Sequence, residues 1–197
     1  MDTIGIRIKR NHQLSEFQKS VIIGCILGDG HLLKTTRGFC LRINHSLKQK
    51  ALVDWKYSVL KEISTPPKVY KKSSCYFRTV SHPIMLYYRK LFYRGKYKVI
   101  PRELAGYIDP VVLAVWIMDD GTNELGHSRC LRINTQCFSL EDQLRLIQIL
   151  QEKFGIITTL NRDKDRFRLR VKKESMEKLI RLIEPYIIKE MYYKIAP

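Results

Sequence analysis

Hydrophobic positions change period several times along the chain, and two stretches carry no alternation at all. Residues 21–30 read VIIGCILGDG and residues 113–121 read LAVWIMDDG, each an apolar run closed by an acid and a glycine. Runs this apolar suit helices that are buried all round. In the first, Gly24 and Gly28 stand at i and i+4 on one helical face, leaving a strip without side chains along which another helix can approach. Asp29 and Asp120 fall where each helix should end and its last carbonyls lack partners. If the two helices pack side by side and parallel, both aspartates reach one end. Carboxylates beside unpaired carbonyls make a site for a hard divalent cation such as Mg²⁺.

Elsewhere the periods are ordinary. Ser15 followed by Gln18 resembles a capping box opening the first apolar helix. After it, HLLKTTRG (31–38) reads as a basic turn and FCLRIN (39–44) as a strand, with Leu41 and Ile43 on one face and Arg42 and Asn44 on the other. Residues 50–63 read as a helix, 68–80 as a basic hairpin turning at Ser73-Ser74, and 82–93 as an aromatic helix followed by the loop RGKYKVIP. The second apolar run is followed by a turn, TNELGHSR (122–129), and a strand, CLRINTQ (130–136). Then come a helix over 140–154 closed by Gly155, a hairpin over 156–171 turning around 163–165, and a helix over 174–183. Residues 1–14 form a basic lead-in with Arg7, Lys9 and Arg10 that is expected to fray.

These elements repeat. CLRIN begins at Cys40 and again at Cys130, a shift of 90, and the dipeptide FR recurs at Phe77 and Phe167 with the same shift. The acids Asp29 and Asp120 differ by 91, and KVIP at 98–101 meets KIAP at 194–197 with a shift of 96. This is a tandem duplication in which each half reads α-β-β-α-β-β-α. The expected fold is α+β, with antiparallel saddle-shaped sheets: a lead-in over 1–14, one subdomain over 15–107 and a second over 108–197. The two would be related by a pseudo-twofold axis, as the halves of a homodimer are.

Charge then narrows the function. The chain carries 36 Lys and Arg against 19 Asp and Glu, a net +17, with a pI near 9.8. A polyanionic partner would relieve so large an excess, and nucleic acid is the expected one. A membrane is disfavoured, since no long apolar span or strongly amphipathic basic helix is present. Five cysteines (25, 40, 75, 130, 137), an odd number without CxxC spacing, suit a reduced intracellular protein. The five histidines form no pairs at usual ligand spacing, which speaks against structural zinc. The N-terminus lacks the apolar core of a secretion signal, so none is expected.

The strand faces give the nucleic-acid reading its residues. Arg42 and Asn44, and in the repeat Arg132, Asn134 and Gln136, point away from the core-facing positions, with Ser46 opposite Gln136. Arg, Asn and Gln make paired hydrogen bonds to guanine and adenine edges in the major groove. Arg166, Arg168 and Arg170 alternate with Phe167, Leu169 and Val171, and the first hairpin offers Lys71, Lys72 and Arg78. Lys98 and Lys194 open the two KxxP segments, so the duplication places them symmetrically. A lysine at a scissile phosphate can stabilise developing negative charge or help activate a water.

Together these features resemble the LAGLIDADG homing endonucleases, in their monomeric, double-motif, intron-encoded form, from about Ser15 to Pro197. The MDDG, NTQ, KVIP and MYYK segments are the most specific parts of the likeness. It implies that Asp29 and Asp120 are metal-binding acids, with Gly28 and Asp119 beside them, and that Lys98 and Lys194 are basic active-site residues. Arg42 and Gln136 would lie on DNA-facing sheets set in flanking major grooves. It further implies cleavage of both strands of a long DNA site across the minor groove, leaving 3′ overhangs. Mg²⁺ would be required, with Mn²⁺ as a substitute and Ca²⁺ supporting binding without efficient cleavage. The expected setting is an organelle matrix or a prokaryotic cytoplasm or nucleoid. The first motif has Gly28 where the second has Asp119, so the two half-sites need not be equivalent. An intron RNA maturase or a non-cleaving DNA-binding regulator of the same fold is the alternative, and intron RNA would then be a partner.

Overall fold

The structure is a computed structural model that describes residues 4–124 and 130–195. It divides into two compact units, residues 1–91 and 92–197. The sequence repeat and the compact units do not share a border. Residues 92–107 lie with the second unit, where Arg145 Nη1 donates to the Ile100 carbonyl at 2.7 Å.

The first unit opens with α1 (Ile4–Arg10), where the sequence suggested a frayed end. Two cations hold it: Lys9 Nζ donates to Lys61 O at 3.3 Å and also bonds Ser64 O, and Arg10 Nε donates to Ser81 O at 3.1 Å. Next is α2 (Glu16–Leu27), opened by the expected capping box of Ser15 and Gln18. Every residue from Ser20 to Leu27 is buried, in keeping with the missing polar face. HLLKTTRG is not a plain turn. Residues His31–Thr35 form β1, paired antiparallel with β2 (Gly38–Ser46). Leu32 can therefore face the core, and the basic residues do not prevent a strand because its partner supplies the ladder. After α3 (Lys50–Leu60) come β3 (Lys68–Tyr70), β4 (Ser74–Arg78) and α4 (Pro83–Phe92). The hairpin turns at Lys71–Ser73, earlier than expected, with Lys71 and Lys72 at φ +48° and +52°. The sheet order is β1-β2-β4-β3. Its covered face carries Leu41, Ile43, Cys75 and Phe77, all buried.

The second unit begins with a two-stranded ribbon, β5 (Tyr93–Arg94) and β6 (Tyr97–Lys98), inside the segment read as a loop. Then follow α5 (Pro110–Asp120), β7 (Gly121–Asn123), β8 (Leu131–Ile133), α6 (Leu140–Phe154), β9 (Thr158–Asp163), β10 (Arg166–Val171) and α7 (Lys173–Ile183). Helix α5 starts on an Asp109 cap with Pro110 in its first turn and buries residues Val111 to Asp119. Gly155 ends α6 in the left-handed conformation, as its position predicts. The sheet order β7-β8-β10-β9 repeats that of the first unit. Most of the turn expected over TNELGHSR, residues 125–129, lies outside the described residues, as do Ala196 and Pro197.

Two glycines explain why an acid–glycine pair closes each apolar run. The chain leaves the helix directly into a strand, so the glycine backbone lies against the last helical turn. A Cβ at Gly30 would stand 2.6 Å from the Cys25 carbonyl oxygen, and one at Gly121 would stand 2.5 Å from that of Ile117. Any side chain there would force the acid at the preceding position to move.

Candidate nucleic-acid interface and acid site

In the first unit, β2 alternates as its sequence implies: Leu41, Ile43 and His45 are buried, while Arg42, Asn44 and Ser46 are exposed. The register sets Arg42 against Arg78, Asn44 against Tyr76 and Ser46 against Ser74. The Arg42 guanidinium lies 4.9 Å from the centroid of the Tyr76 ring, a contact that orders the long side chain while leaving its edge to solvent. Lys71 and Lys72 sit at the exposed hairpin tip rather than on the strand face.

In the second unit, Arg132, Arg168 and Arg170 meet on one face, with Arg170 opposite Arg132 and Arg168 opposite Asn161. Burial pushes the Arg132 guanidinium below its ordinary value, and Arg168 and Arg170 push it the same way. That crowding of like charge is held by acids. Arg132 pairs with Glu124, Arg168 lies 3.9 Å from Asp163, and Gln136 Nε2 donates to Asp163 Oδ2 at 2.7 Å. The Gln136 bond holds the Asp163 carboxyl below the usual carboxylate range, and Arg168, Lys164 and Arg132 add to the effect. Arg166 is exposed and donates through Nη1 to the Gln136 carbonyl. The strand expected over 130–136 stops at Ile133. Asn134 and Gln136 continue beyond it because Thr135 replaces the ladder, its hydroxyl accepting from Leu169 N at 3.1 Å.

The acids occupy the ends of the apolar helices. Asp29 lies in the turn just after α2, with its side chain 49% exposed, and the preceding Gly28 bonds back to the Gly24 carbonyl at 3.0 Å. Asp119 is buried and Asp120 half-buried in the last turn of α5. The backbone there is pinned, since Asn134 N donates to the Asp120 carbonyl at 3.0 Å. Lys194 is only 6% exposed, and its Nζ donates to the Asp119 carbonyl at 2.7 Å. An ammonium at a helix C-terminus complements both the unpaired carbonyls and the dipole. Lys98, half-buried on β6, and Asp120 both act electrostatically on Cys137, whose thiol is raised first by desolvation and then by Asp120, while Lys98 lowers it. Lys194, Asp119 and Asp120 thus meet at the end of α5, and Lys98 lies near enough to act on Cys137 as Asp120 does. Half-exposed carboxylates beside helix-end carbonyls are an oxygen donor set that fits a hard divalent cation.

Three residues that the sequence reading passed over join these groups. His45, on the buried side of β2, places Nδ1 3.5 Å from Asp29 Oδ2. Its other nitrogen lies 3.3 Å from Nζ of Lys56 on α3, a lysine with no exposed surface at all. Asp163, read as a turn residue, is the acid that organises Gln136 and Arg168. The cysteines are all free, four of them buried and Cys137 exposed. No helix among the described residues is long and apolar enough to cross a membrane.

Residues 19–179 match the model of the LAGLIDADG DNA endonuclease family. The chain is 29% identical over 196 residues to the probable intron-encoded endonuclease 1 of Wickerhamomyces canadensis, covering 92% of this chain and 85% of that protein. It is 40% identical over 113 residues to the cytochrome b mRNA maturase bI2 of Saccharomyces cerevisiae, covering 56% of this chain and 26% of the maturase. The chain thus spans about a quarter of that relative's length. Among solved structures, the homing endonuclease I-WcaI bound to its DNA recognition sequence matches with a TM-score of 0.90 at 27% identity, over 99% of this chain and 93% of that one.

Proposed function

The chain belongs to the LAGLIDADG DNA endonuclease family, and from that premise we propose that it is a site-specific homing endonuclease that cuts both strands of a long DNA site as a monomer. Cleavage across the minor groove, leaving 3′ overhangs, follows from the family reading. The observation that carries the proposal is Lys194, an ammonium buried against the carbonyl end of the helix that bears Asp119 and Asp120. Burying that charge is costly; besides capping the helix, it sets an ammonium beside the acids, where a scissile phosphate would gain from it.

In this reading each residue has a chemical task. Arg42, Asn44, Ser46 and Arg78 in one unit, and Arg132, Asn134, Gln136, Arg166, Arg168 and Arg170 in the other, read base edges or phosphates in flanking major grooves. Lys71 and Lys72 at the hairpin tip contact the backbone. Asp29 and Asp120, with the Gly28 and Asp119 carbonyls, would hold Mg²⁺, and Mn²⁺ could replace it. A divalent cation supplies charge stabilisation for the attacking and leaving oxygens of an in-line displacement. As water bonds to phosphorus the P–O3′ bond breaks, the 3′ oxygen leaves and takes up a proton, and the products are a 3′ hydroxyl and a 5′ phosphate. Lys98 and Lys194 donate to oxygens on which negative charge grows in that step.

Incubating the protein with a randomised duplex library in Mg²⁺, then sequencing the ends, tests the proposal. Ends at one motif with 3′ overhangs are expected; tight binding without new ends would overturn it. The likeness to a cytochrome b mRNA maturase favours a second activity on intron RNA, which a splicing assay on the host transcript would reveal. Both readings place the protein in an organelle matrix or a prokaryotic cell.

A further inference from the structure

Lys56 is the one lysine besides Lys194 that is buried among the described residues, and it lies on the far side of His45 from the motif acid. With Lys56 charged, its ammonium has donors and no acceptor, so the imidazole nitrogen facing it presents a lone pair. That requirement decides the tautomer. Nε2 accepts from Lys56, the proton sits on Nδ1, and Nδ1–H points at Asp29 Oδ2. The separations of 3.3 Å and 3.5 Å are long for hydrogen bonds, as is usual for a catalytic array before substrate tightens it. Both side chains come from rigid elements: His45 from the middle of a four-stranded sheet, Lys56 from the helix packed on it.

We infer that Lys56 is a positioning residue that acts through His45: it fixes the imidazole as the Nδ1–H tautomer, and His45 in turn orients one oxygen of Asp29. About half of the Asp29 side chain remains exposed, and the inference rests on the proposed function, in which that carboxylate holds the metal. The second unit builds nothing comparable at the matching positions. Ninety residues after His45 stands Thr135, and ninety after Lys56 stands Leu146. Both are buried, and the Thr135 hydroxyl is engaged with Gln143 Oε1 at 3.0 Å and with Leu169 N. At the end of α5, Lys194 Nζ instead donates to the Asp119 carbonyl, and Asn134 N to the Asp120 carbonyl. The duplication has therefore produced two differently supported acids, and the two strands should depend on them unequally.

Two measurements test this. The first is the long-range ¹H–¹⁵N spectrum of histidine-labelled protein without DNA. His45 should be Nδ1–H in the wild type and shift toward Nε2–H in Lys56→Met, while Lys56→Arg, also a pure donor, keeps the wild-type signature. An unchanged tautomer in Lys56→Met overturns the inference. The second is strand-resolved cleavage of end-labelled target. Removing an outer partner of a liganding side chain typically costs about 10–100-fold. Lys56→Met and His45→Leu should each slow by that factor the strand whose scission is most sensitive to Asp29→Asn. The other strand should keep its rate, Lys56→Arg should recover most of the loss, and Ca²⁺-supported binding should not change. Equal slowing of both strands, or none in His45→Leu, overturns it. If the wild type cuts no DNA, the nuclease reading fails, and the tautomer spectrum still decides the relay.

Discussion

Lys194→Met removes one ammonium and keeps nearly all of the buried stem, so it separates two roles that the same contact serves. As a cap, Lys194 satisfies the Asp119 carbonyl at the end of α5. A hydrogen bond to a charged group contributes about 1.5–3 kcal/mol, but the variant also relieves the burial of an ammonium, which opposes that loss. The net cost to the second unit should be about 1 kcal/mol, a melting shift of about 2–4 °C. As an active-site residue, Lys194 stabilises charge that appears only in the transition state, and losing one such donor costs about 10²–10³ in rate. Plasmid cleavage well below the melting transition tells these apart. A pure cap predicts a slightly less stable enzyme that cuts at the wild-type rate. The active-site role predicts the full rate loss with Ca²⁺-dependent site binding intact. Nicked circles should accumulate if the two strands are cut independently. Ending the chain after Tyr193 should act the same way, and Lys98→Met should impair cleavage too. If both lysine variants cut both strands at wild-type speed, Lys98 and Lys194 carry no chemistry and the matching KxxP segments mean nothing for the reaction.

Asp29→Asn and Asp120→Asn should each abolish double-strand cutting in Mg²⁺ while binding in Ca²⁺ persists; a plasmid linearised at the normal rate by either variant refutes the assignment of the acids. Binding should weaken linearly in a plot of log affinity against log salt, and Arg168→Ala or Arg170→Ala should reduce affinity and relax preference at a defined base pair. A binding-site selection that returns the same preference for variant and wild type would speak against base reading by these arginines. Stability should also depend on pH through His82, whose Nε2 donates to the His12 carbonyl at 3.0 Å and whose Nδ1 accepts from Ile84 N at 3.3 Å. Burial holds this imidazole below its ordinary 6.5, so its contribution is complete above about pH 6.5 and is lost as pH falls toward the depressed value. Urea melts at pH 7.5 and 5.5 should show that loss, and His82→Gln should remove the His82 part of it.

What the sequence makes legible is what has a local period or an internal copy. The runs at 21–30 and 113–121 announce buried helices because they lack any polar face, and the repeated CLRIN fixes the duplication. The reading failed where a partner distant in sequence decides the outcome. Residues 31–35 look basic and turn-like by themselves, and only pairing with 38–42 makes them a strand. Helix α1 buries none of its side chains fully and is tied down by bonds to residues more than fifty positions away. His45 and Asp29 share no element and no recurring spacing, and lysines are so rarely buried that the helical pattern over 50–63 does not single out Lys56. Asp163 could have been suspected, since an acid at the tip of an arginine-rich hairpin has an evident set of partners.

The two faces proposed to read DNA are built on different principles although their strands repeat one pattern. In the first unit, Arg42 and Arg78 face each other across the sheet, and Tyr76 steadies Arg42 by its ring. Among the described residues, no acid pairs with Arg42 or Arg78 to compete with a phosphate or a guanine edge. In the second unit, three guanidiniums share their face with Asp163 and Glu124, and Gln136 is already committed to Asp163. DNA approaching this face must offer more than charge. A phosphate alone brings the arginines an anion like the one they already hold, so little is gained against the lost internal pairs. A base edge that takes both the Gln136 amide and an arginine fork replaces those bonds in kind and adds geometric selection. The first face should therefore contribute mainly to affinity and the second to discrimination. This division follows from Asp163, the acid that ends β9, which has no acidic counterpart in the first hairpin.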